Sequence, residues 1–132
     1  MKVIGVIPAR LYSSRFPKKI LHLIDGKPMV VHVYEQAVKA KSLDDVIVAI
    51  DADETETSLN EWKVKTIMTS DNHVSGTDRI QEAVVDIEAD VVVNIQGDEP
   101  TINPLLIDEL VQQFEDTTIE MATVAGQDMD VE

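Results

Sequence analysis

Short apolar runs alternate with amphipathic stretches along the whole chain. The runs are rich in valine and isoleucine, which is typical of strands buried on both faces of a sheet. They predict five strands, at residues 2–7, 46–50, 64–68, 91–95 and 119–124, of which the run at 64–68 is the weakest.

Between the strands, apolar positions recur every three or four residues, as on one face of a helix. This spacing predicts helices over 29–40 and 75–88, and a further helix that Asn103-Pro104 begins. Asp25-Gly26 indicates a turn, and Pro28 is expected as the first residue of the helix that follows. Asp53 with Glu56 predicts a capping box for a short acidic helix.

The alternation of strands and helices predicts an α/β fold. Its sheet should be mostly parallel, with helices on both faces. No apolar run is long enough to span a bilayer, and the N-terminus lacks the apolar stretch of a signal peptide. With 44% hydrophobic residues, 27% charged residues and no cysteine, the composition is that of a globular protein without disulfides, which fits the cytoplasm.

Charge is distributed unevenly along this acidic chain. Residues 1–41 hold 8 Lys/Arg against 2 Asp/Glu, and residues 42–132 hold 3 against 23, which gives the net charge of −14. Duplex nucleic acid would be repelled over most of the chain, whereas a small polyanion could bind near the first strand. The alternative is that the acidity serves solubility and the asymmetry is incidental.

A basic stretch follows the first predicted strand. Residues 7–19 contain Arg10, Arg15, Lys18 and Lys19 and no acidic residue. Arginine forks can bind phosphate oxygens in bidentate fashion, and lysine adds point charge. A polyphosphate site at the carboxyl edge of a parallel sheet is one interpretation, and a solvated basic loop is the other.

A second stretch, residues 68–79, joins the third strand to a helix. Ser75, Gly76 and Thr77 lie where that helix begins, so free backbone N–H groups and hydroxyls could bind a base edge or a phosphate. The alternative is a simple cap formed by Ser75 with Asp78, against which Arg79 argues mildly.

A third stretch, residues 94–100, leaves the fourth strand and carries Asp98 beside a glycine. Mg²⁺ needs only one or two protein carboxylates when phosphates and water supply its other ligands, so Asp98 fits that role. The alternative is a turn followed by a helix cap.

Asp51-Ala52-Asp53 could also form a metal clamp, but capping by Asp53 is the preferred interpretation. The chain has neither a P-loop nor a dinucleotide fingerprint.

Four motifs stand out in these stretches: Ile7-Pro8-Ala9-Arg10 with Ser13-Ser14-Arg15-Phe16-Pro17-Lys18-Lys19, Gly26-Lys27-Pro28-Met29, His73 with Ser75-Gly76-Thr77-Asp78-Arg79, and Asn94-Ile95-Gln96-Gly97-Asp98-Glu99-Pro100. Together they closely resemble the 3-deoxy-manno-octulosonate cytidylyltransferase (CMP-Kdo synthetase) family. The resemblance covers residues 1 to about 125 and implies a Rossmann-like nucleotidyltransferase fold, with 126–132 as a polar tail.

The resemblance implies transfer of CMP from CTP to the acidic sugar Kdo, with release of pyrophosphate and with Mg²⁺, for lipopolysaccharide synthesis. It also implies the following roles: triphosphate binding by Arg10, Arg15 and Lys19, cytosine recognition around Ala9 with Ser75 and Gly76 and with Arg79 assisting, nucleotide contact by Ser13, ribose or sugar contact by Gln96, and Mg²⁺ binding by Asp98.

Two features depart from the family. Glu61-Trp62-Lys63 stands where the family usually has a glycine-containing turn. Family members are also nearly twice as long, so the chain resembles a truncated, nucleotide-binding half, with little or no transferase activity expected alone. A non-catalytic nucleotide-binding module and a cytidylyltransferase for another acidic sugar (8-amino-Kdo or sialic acid) remain as alternatives. The full-length family enzyme is expected to be a homodimer that binds neither nucleic acid nor membrane.

Overall fold

The computed structural model describes residues 2–11, 19–69, 76–85, 87, 89–97, 101–113 and 121–124, with the backbone alone at 19, 76–78, 113 and 121–124. Its elements alternate between strand and helix as the sequence predicts. The strands are β1 Val3–Ala9, β2 Leu23–Ile24, β3 Lys27–Pro28, β4 Asp45–Ile50, β5 Thr66–Met68, β6 Val91–Ile95 and β7 Met121–Val124. The helices are α1 Met29–Ala37, α2 Asp53–Asn60, α3 Gly76–Val84 and α4 Pro104–Gln113.

The main sheet has five strands in the order β5-β4-β1-β6-β7, and every neighbouring pair is parallel. The chain moves outward from β1 to β4 and β5, and then returns to the other side of β1 with β6. Strand order therefore reverses between β1 and β6. In open parallel sheets, ligands bind outside the carboxyl ends of the strands at this reversal.

Helices cover both faces of the sheet, which confirms the predicted fold class. One apolar cluster joins α1 and α4 to inward residues of β1, β4 and β6, with Leu59 of α2 at its side. A smaller cluster on the opposite face packs Ile80 and Ala83 of α3 against Ile4, Val6 and Ile47. The sheet is thus a buried layer, as the nearly continuous apolar strands require.

A tight hairpin joins β2 to β3 before α1. Asp25 and Gly26 both have positive φ, at 55° and 79°, as a two-residue hairpin turn between these strands needs. The Asp25-Gly26 turn is therefore confirmed. Pro28, however, is not the first helical residue: its ψ of 143° is extended, it pairs with Leu23, and α1 begins at Met29.

The predicted capping box of α2 is wrong. Ala52 is the N-cap, no side chain caps the helix, and Asp53 is an exposed first-turn residue. The first hydrogen bond of the helix runs from the N–H of Glu56 to the carbonyl oxygen of Ala52, at 3.3 Å. At α4 the predicted start is confirmed, because Asn103 Oδ1 accepts a hydrogen bond from the N–H of Leu105 at 2.9 Å.

Strand β1 continues past the predicted end at residue 7 and includes Pro8. Its pairing with β6 stops at Val6, whereas its pairing with β4 continues to Ala9. Proline has no N–H to donate, so it is tolerated where one neighbour no longer pairs. The last three residues of β1 therefore pair with β4 alone. Within the described ranges, no helix is long and apolar enough to cross a membrane.

Candidate functional site

Four chain segments meet at one edge of the sheet because parallel strands all end there. They are the segments that leave β1 at Arg10, β4 at Asp51, β5 at Thr69 and β6 at Gln96. The edge also receives the first residue of α3, Gly76. All three stretches singled out in the sequence therefore begin or end at this carboxyl edge.

Gly97 brings the end of β6 against the end of β1. A Cβ at this position would lie 3.2 Å from the carbonyl oxygen of Pro8 and 3.4 Å from Cγ2 of Ile7. Such contacts are tighter than a side chain normally makes, so a glycine suits this close approach. The peptide that leads to Asp98 consequently starts beside the basic stretch.

Asp51 connects the end of β4 to the start of the basic stretch. Its Oδ1 accepts a hydrogen bond from the backbone N–H of Leu11 at 3.0 Å. Its Oδ2 lies 3.7 Å from an Nη atom of Arg79, and the two side chains are 10% and 0% exposed. Asp51 thus contacts both the residue after Arg10 and helix α3.

Arg79 reaches from α3 into the interior beneath the edge. Its other Nη donates to Oγ1 of Thr69 at 2.7 Å. That hydroxyl donates in turn to the carbonyl oxygen of Ile50 at 2.8 Å, and the N–H of Thr69 binds the same oxygen at 2.7 Å. These contacts return to β4 one residue before Asp51.

Buried polar side chains are concentrated at this edge. In the described part of the chain the buried polar or charged residues are Thr55, Thr69, Arg79 and Asn94. Thr69 and Arg79 belong to the network just described, and Asn94 is the next-to-last residue of β6. Burying a polar group is costly, so such a concentration under one edge is typical of a site that is organised for a ligand.

The predicted site residues differ in how far the structure describes them. Ala9 is buried, Arg10 is exposed, Gln96 is half-buried and Arg79 is wholly buried. Lys19 opens a 3₁₀ turn, Lys19–Leu21, and Gly76 opens α3, each with its backbone alone described. Ser13, Arg15, Ser75 and Asp98 lie outside the described residues, as do Ser14, Lys18 and His73.

Sequence reasoning missed Asp51 and Thr69. Asp51 was considered only as part of a metal clamp with Asp53, but its carboxylate is engaged by Leu11 and Arg79, while Asp53 is exposed on α2. The described residues contain no group of three or more His, Cys, Asp or Glu arranged to hold a metal ion. A polar residue directly after a predicted parallel strand was the signal that could have found both residues, although only β4, before Asp51, is buried.

Comparison with known proteins agrees with the topology and with the motifs. The family model described as "Cytidylyltransferase" matches residues 4–132. The chain belongs to this cytidylyltransferase family.

Among curated relatives, a 3-deoxy-manno-octulosonate cytidylyltransferase of Geobacter metallireducens is 46% identical over 94% of this chain and 49% of its own length. An 8-amino-3,8-dideoxy-manno-octulosonate cytidylyltransferase of Shewanella frigidimarina is 44% identical over 98% of this chain and 55% of its own. The chain therefore spans about half the length of the curated relatives it matches.

Among solved structures, CMP:2-keto-3-deoxy-manno-octonic acid synthetase in complex with CTP superposes with a TM-score of 0.85 at 45% identity, covering 88% of this chain and 48% of that one. A cytidylyltransferase of Leptospira borgpetersenii gives 0.75 at 27% identity, covering 86% and 49%. These similarities agree with the fold of this cytidylyltransferase chain, and the first comes from a protein that binds CTP.

Proposed function

We propose that the carboxyl edge between β1 and β6 binds CTP, and that the chain is the nucleotide-binding part, over about residues 1–125, of an enzyme that transfers CMP to Kdo. The observation that carries this proposal is the similarity to a CTP-bound CMP-Kdo synthetase over most of the chain. The strand-order reversal supports it, because it lies where the three sequence stretches meet.

The basic stretch would hold the triphosphate. Arg10 is exposed at the end of β1, and Arg15 and Lys19 follow it in the sequence. In the reaction, the anomeric hydroxyl oxygen of the sugar attacks the α-phosphorus of CTP. The bond between the α-phosphorus and the oxygen that bridges to the β-phosphate breaks, pyrophosphate leaves, and the hydroxyl proton is released. Cations beside the departing pyrophosphate stabilise the negative charge that develops there, and holding CTP in line supplies much of the remaining rate enhancement.

The cytosine base would lie between the end of β1 and the start of α3. Backbone groups around Ala9 and Gly76 can read the edge of a base, and the hydroxyl of Ser75 adds one more partner. Arg79 is interior and bonded to Thr69, so any help it gives to base recognition acts by holding α3. Gln96, half-buried after β6, is placed to reach the ribose or the sugar.

A single carboxylate beside phosphates is a suitable donor set for Mg²⁺. Asp98 directly follows Gly97, which lies against the carbonyl oxygen of Pro8 at the end of β1, so its place in the chain fits this role. Bound Mg²⁺ would neutralise phosphate charge and polarise the reacting phosphoryl group. Asp98 would hold it, and Arg10, Arg15 and Lys19 would orient the remaining phosphate oxygens.

The acceptor we propose is Kdo, with 8-amino-Kdo as the closest alternative, because curated relatives of comparable identity carry each of these names. We place the full-length enzyme in the cytoplasm, as a homodimer that binds neither nucleic acid nor membrane. The chain alone, which covers about half of these relatives, should bind CTP with little or no turnover. A steady-state assay with CTP and Kdo would contradict this if it gave normal turnover.

Calorimetric titration with CTP and Mg²⁺ tests the proposed site. Arg15→Ala and Asp98→Ala should each raise the Kd about tenfold or more, as the loss of a charge-assisted contact requires. Lys39→Ala is the matched control, because it removes one positive charge, as Arg15→Ala does. Lys39 lies just after the end of α1, toward the edge of the sheet where β4 begins. ATP should bind more weakly than CTP. Unchanged CTP affinity in Arg15→Ala and Asp98→Ala would contradict the proposal.

A further inference from the structure

The basic stretch, residues 7–19, is anchored where it leaves β1. Leu11 directly follows Arg10, and its backbone N–H donates to Oδ1 of Asp51 at 3.0 Å across 40 residues of sequence. This hydrogen bond fixes where the stretch leaves the sheet. A peptide that is already held at Leu11 loses fewer conformations when the residues after Leu11 bind a ligand.

The anchor is itself held by a buried charge. Arg79 is fully buried, Asp51 is 10% exposed, and their closest charged atoms are 3.7 Å apart. A charge pair removed from water interacts more strongly than a surface pair, and loss of one partner leaves the other buried without compensation. The pair therefore couples the end of β4 to helix α3.

The network closes on β4. Arg79 donates to Thr69, and Thr69 donates to the carbonyl oxygen of Ile50, the residue before Asp51. Asp51 is thus fixed relative to β4, β5 and α3 together. The segment that leaves β1 and the first turn of α3 share one rigid frame through this side chain.

We propose that Asp51 is a positioning residue for nucleotide binding. It holds the Leu11 peptide at the end of β1 and, through Arg79, the first turn of α3, so that these two sides of the proposed CTP site keep a fixed separation. This role rests on the proposed CTP site. It needs no contact between Asp51 and the nucleotide, because the effect passes through the backbone of Leu11.

Two double variants separate the anchor from the buried charge pair. Asp51→Asn/Arg79→Met and Asp51→Ala/Arg79→Met have the same net charge, and both lack the Asp51–Arg79 charge pair. They differ in that only the asparagine keeps an oxygen that can accept from Leu11. Amide hydrogen exchange at Leu11, urea unfolding and CTP titration with Mg²⁺ are measured on both.

We expect the Leu11 amide to exchange about tenfold faster in the alanine variant than in the asparagine variant, and the alanine variant to bind CTP about tenfold more weakly. Both comparisons are made under conditions in which urea unfolding shows that both variants are folded. Equal exchange and equal CTP affinity in the two variants would overturn it. In the unmodified chain, a Leu11 amide that exchanges as fast as a solvent-exposed peptide would also overturn it, even if neither variant folds.

The two proposals fail in different ways. Faster Leu11 exchange in the alanine variant, together with no CTP binding by the unmodified chain, would support the anchor and contradict the nucleotide site. Slow Leu11 exchange in both variants, with CTP binding intact in both, would support the nucleotide site and contradict the anchor.

Discussion

Lys63 adopts a backbone conformation that L-residues disfavour. Its φ is +57° in the turn after α2. We expect Lys63→Gly to raise the free energy of unfolding by up to about 1 kcal/mol, because glycine reaches this conformation without steric cost. Urea denaturation measures the change. Lys63→Ala removes the same side chain but keeps the strained backbone, so it should give no gain, and equal effects of the two substitutions would contradict the explanation.

Thr55 carries a buried hydroxyl without an observed partner. The residue is 0% exposed in α2, and its Oγ1 has no hydrogen bond among the described residues. Thr55→Val replaces that hydroxyl with a methyl group of similar shape, so it should stabilise the fold by about 1 kcal/mol. Thermal or urea unfolding tests this.

Thr69→Val is the matched control for Thr55→Val. The hydroxyl of Thr69 accepts from Arg79 and donates to Ile50, so its loss should destabilise the protein by about 1–3 kcal/mol. If Thr55→Val destabilised as much as Thr69→Val, the Thr55 hydroxyl would have to have a partner.

At the scale of elements, Asp108 joins α4 to the loop before β4. Its carboxylate accepts from the N–H and the hydroxyl of Ser42 at 2.8 and 2.6 Å, and from the N–H of Lys41 at 3.4 Å. Partial burial alone would raise the pKa of Asp108, but these hydrogen bonds outweigh it and lower the pKa below its ordinary value. The loop and the helix are therefore held by an ionised carboxylate.

Because the pKa of Asp108 is lower in the folded chain than in the unfolded chain, its ionised carboxylate stabilises the fold. This stabilisation is fully present above the unfolded pKa, near 4, and is lost as the pH falls through the folded pKa. Asp108→Asn should therefore be less stable than the unmodified chain at pH 7, by about 1 kcal/mol after allowance for partial exposure, and this gap should close below about pH 4. Urea midpoints between pH 7 and 3 measure it. Glu109→Gln, an exposed neighbour on α4, is the control, and a gap that stays constant over that range would contradict the assignment.

Local sequence patterns predicted the elements well but not the contacts that close the site. Apolar runs and helical spacing located the helices and the five strands of the main sheet, but not the short strands β2 and β3, because both patterns act over a few neighbouring residues. The capping box at Asp53 was wrong, since the N-cap residue is Ala52 and no side chain caps the helix. The pairing of Asp51 with Arg79 could not be predicted from spacing, because it depends on how β4 and α3 pack.

At the scale of the whole molecule, the two edges of the sheet differ. At the amino edge, the carboxylate of Asp44 accepts a hydrogen bond from the N–H of Val3, and the carboxylate of Asp90 accepts one from the N–H of Lys2, each at 2.7 Å. Carboxylates therefore bind the backbone where β1 begins. At the carboxyl edge, the chain leaves β1 at the exposed cation Arg10, and the buried polar network of Asp51, Thr69 and Arg79 lies beneath it.

The most direct test of this account is to map CTP onto the chain by two-dimensional NMR, with Mg²⁺ present. The account predicts that amide shifts change at Arg10, Leu11, Gly76, Gln96 and Gly97, with little change at the amino edge around Asp44 and Asp90. Saturable shifts confined to the amino edge, or no shifts in a folded chain, would contradict a nucleotide site at the carboxyl edge of β1 and β6.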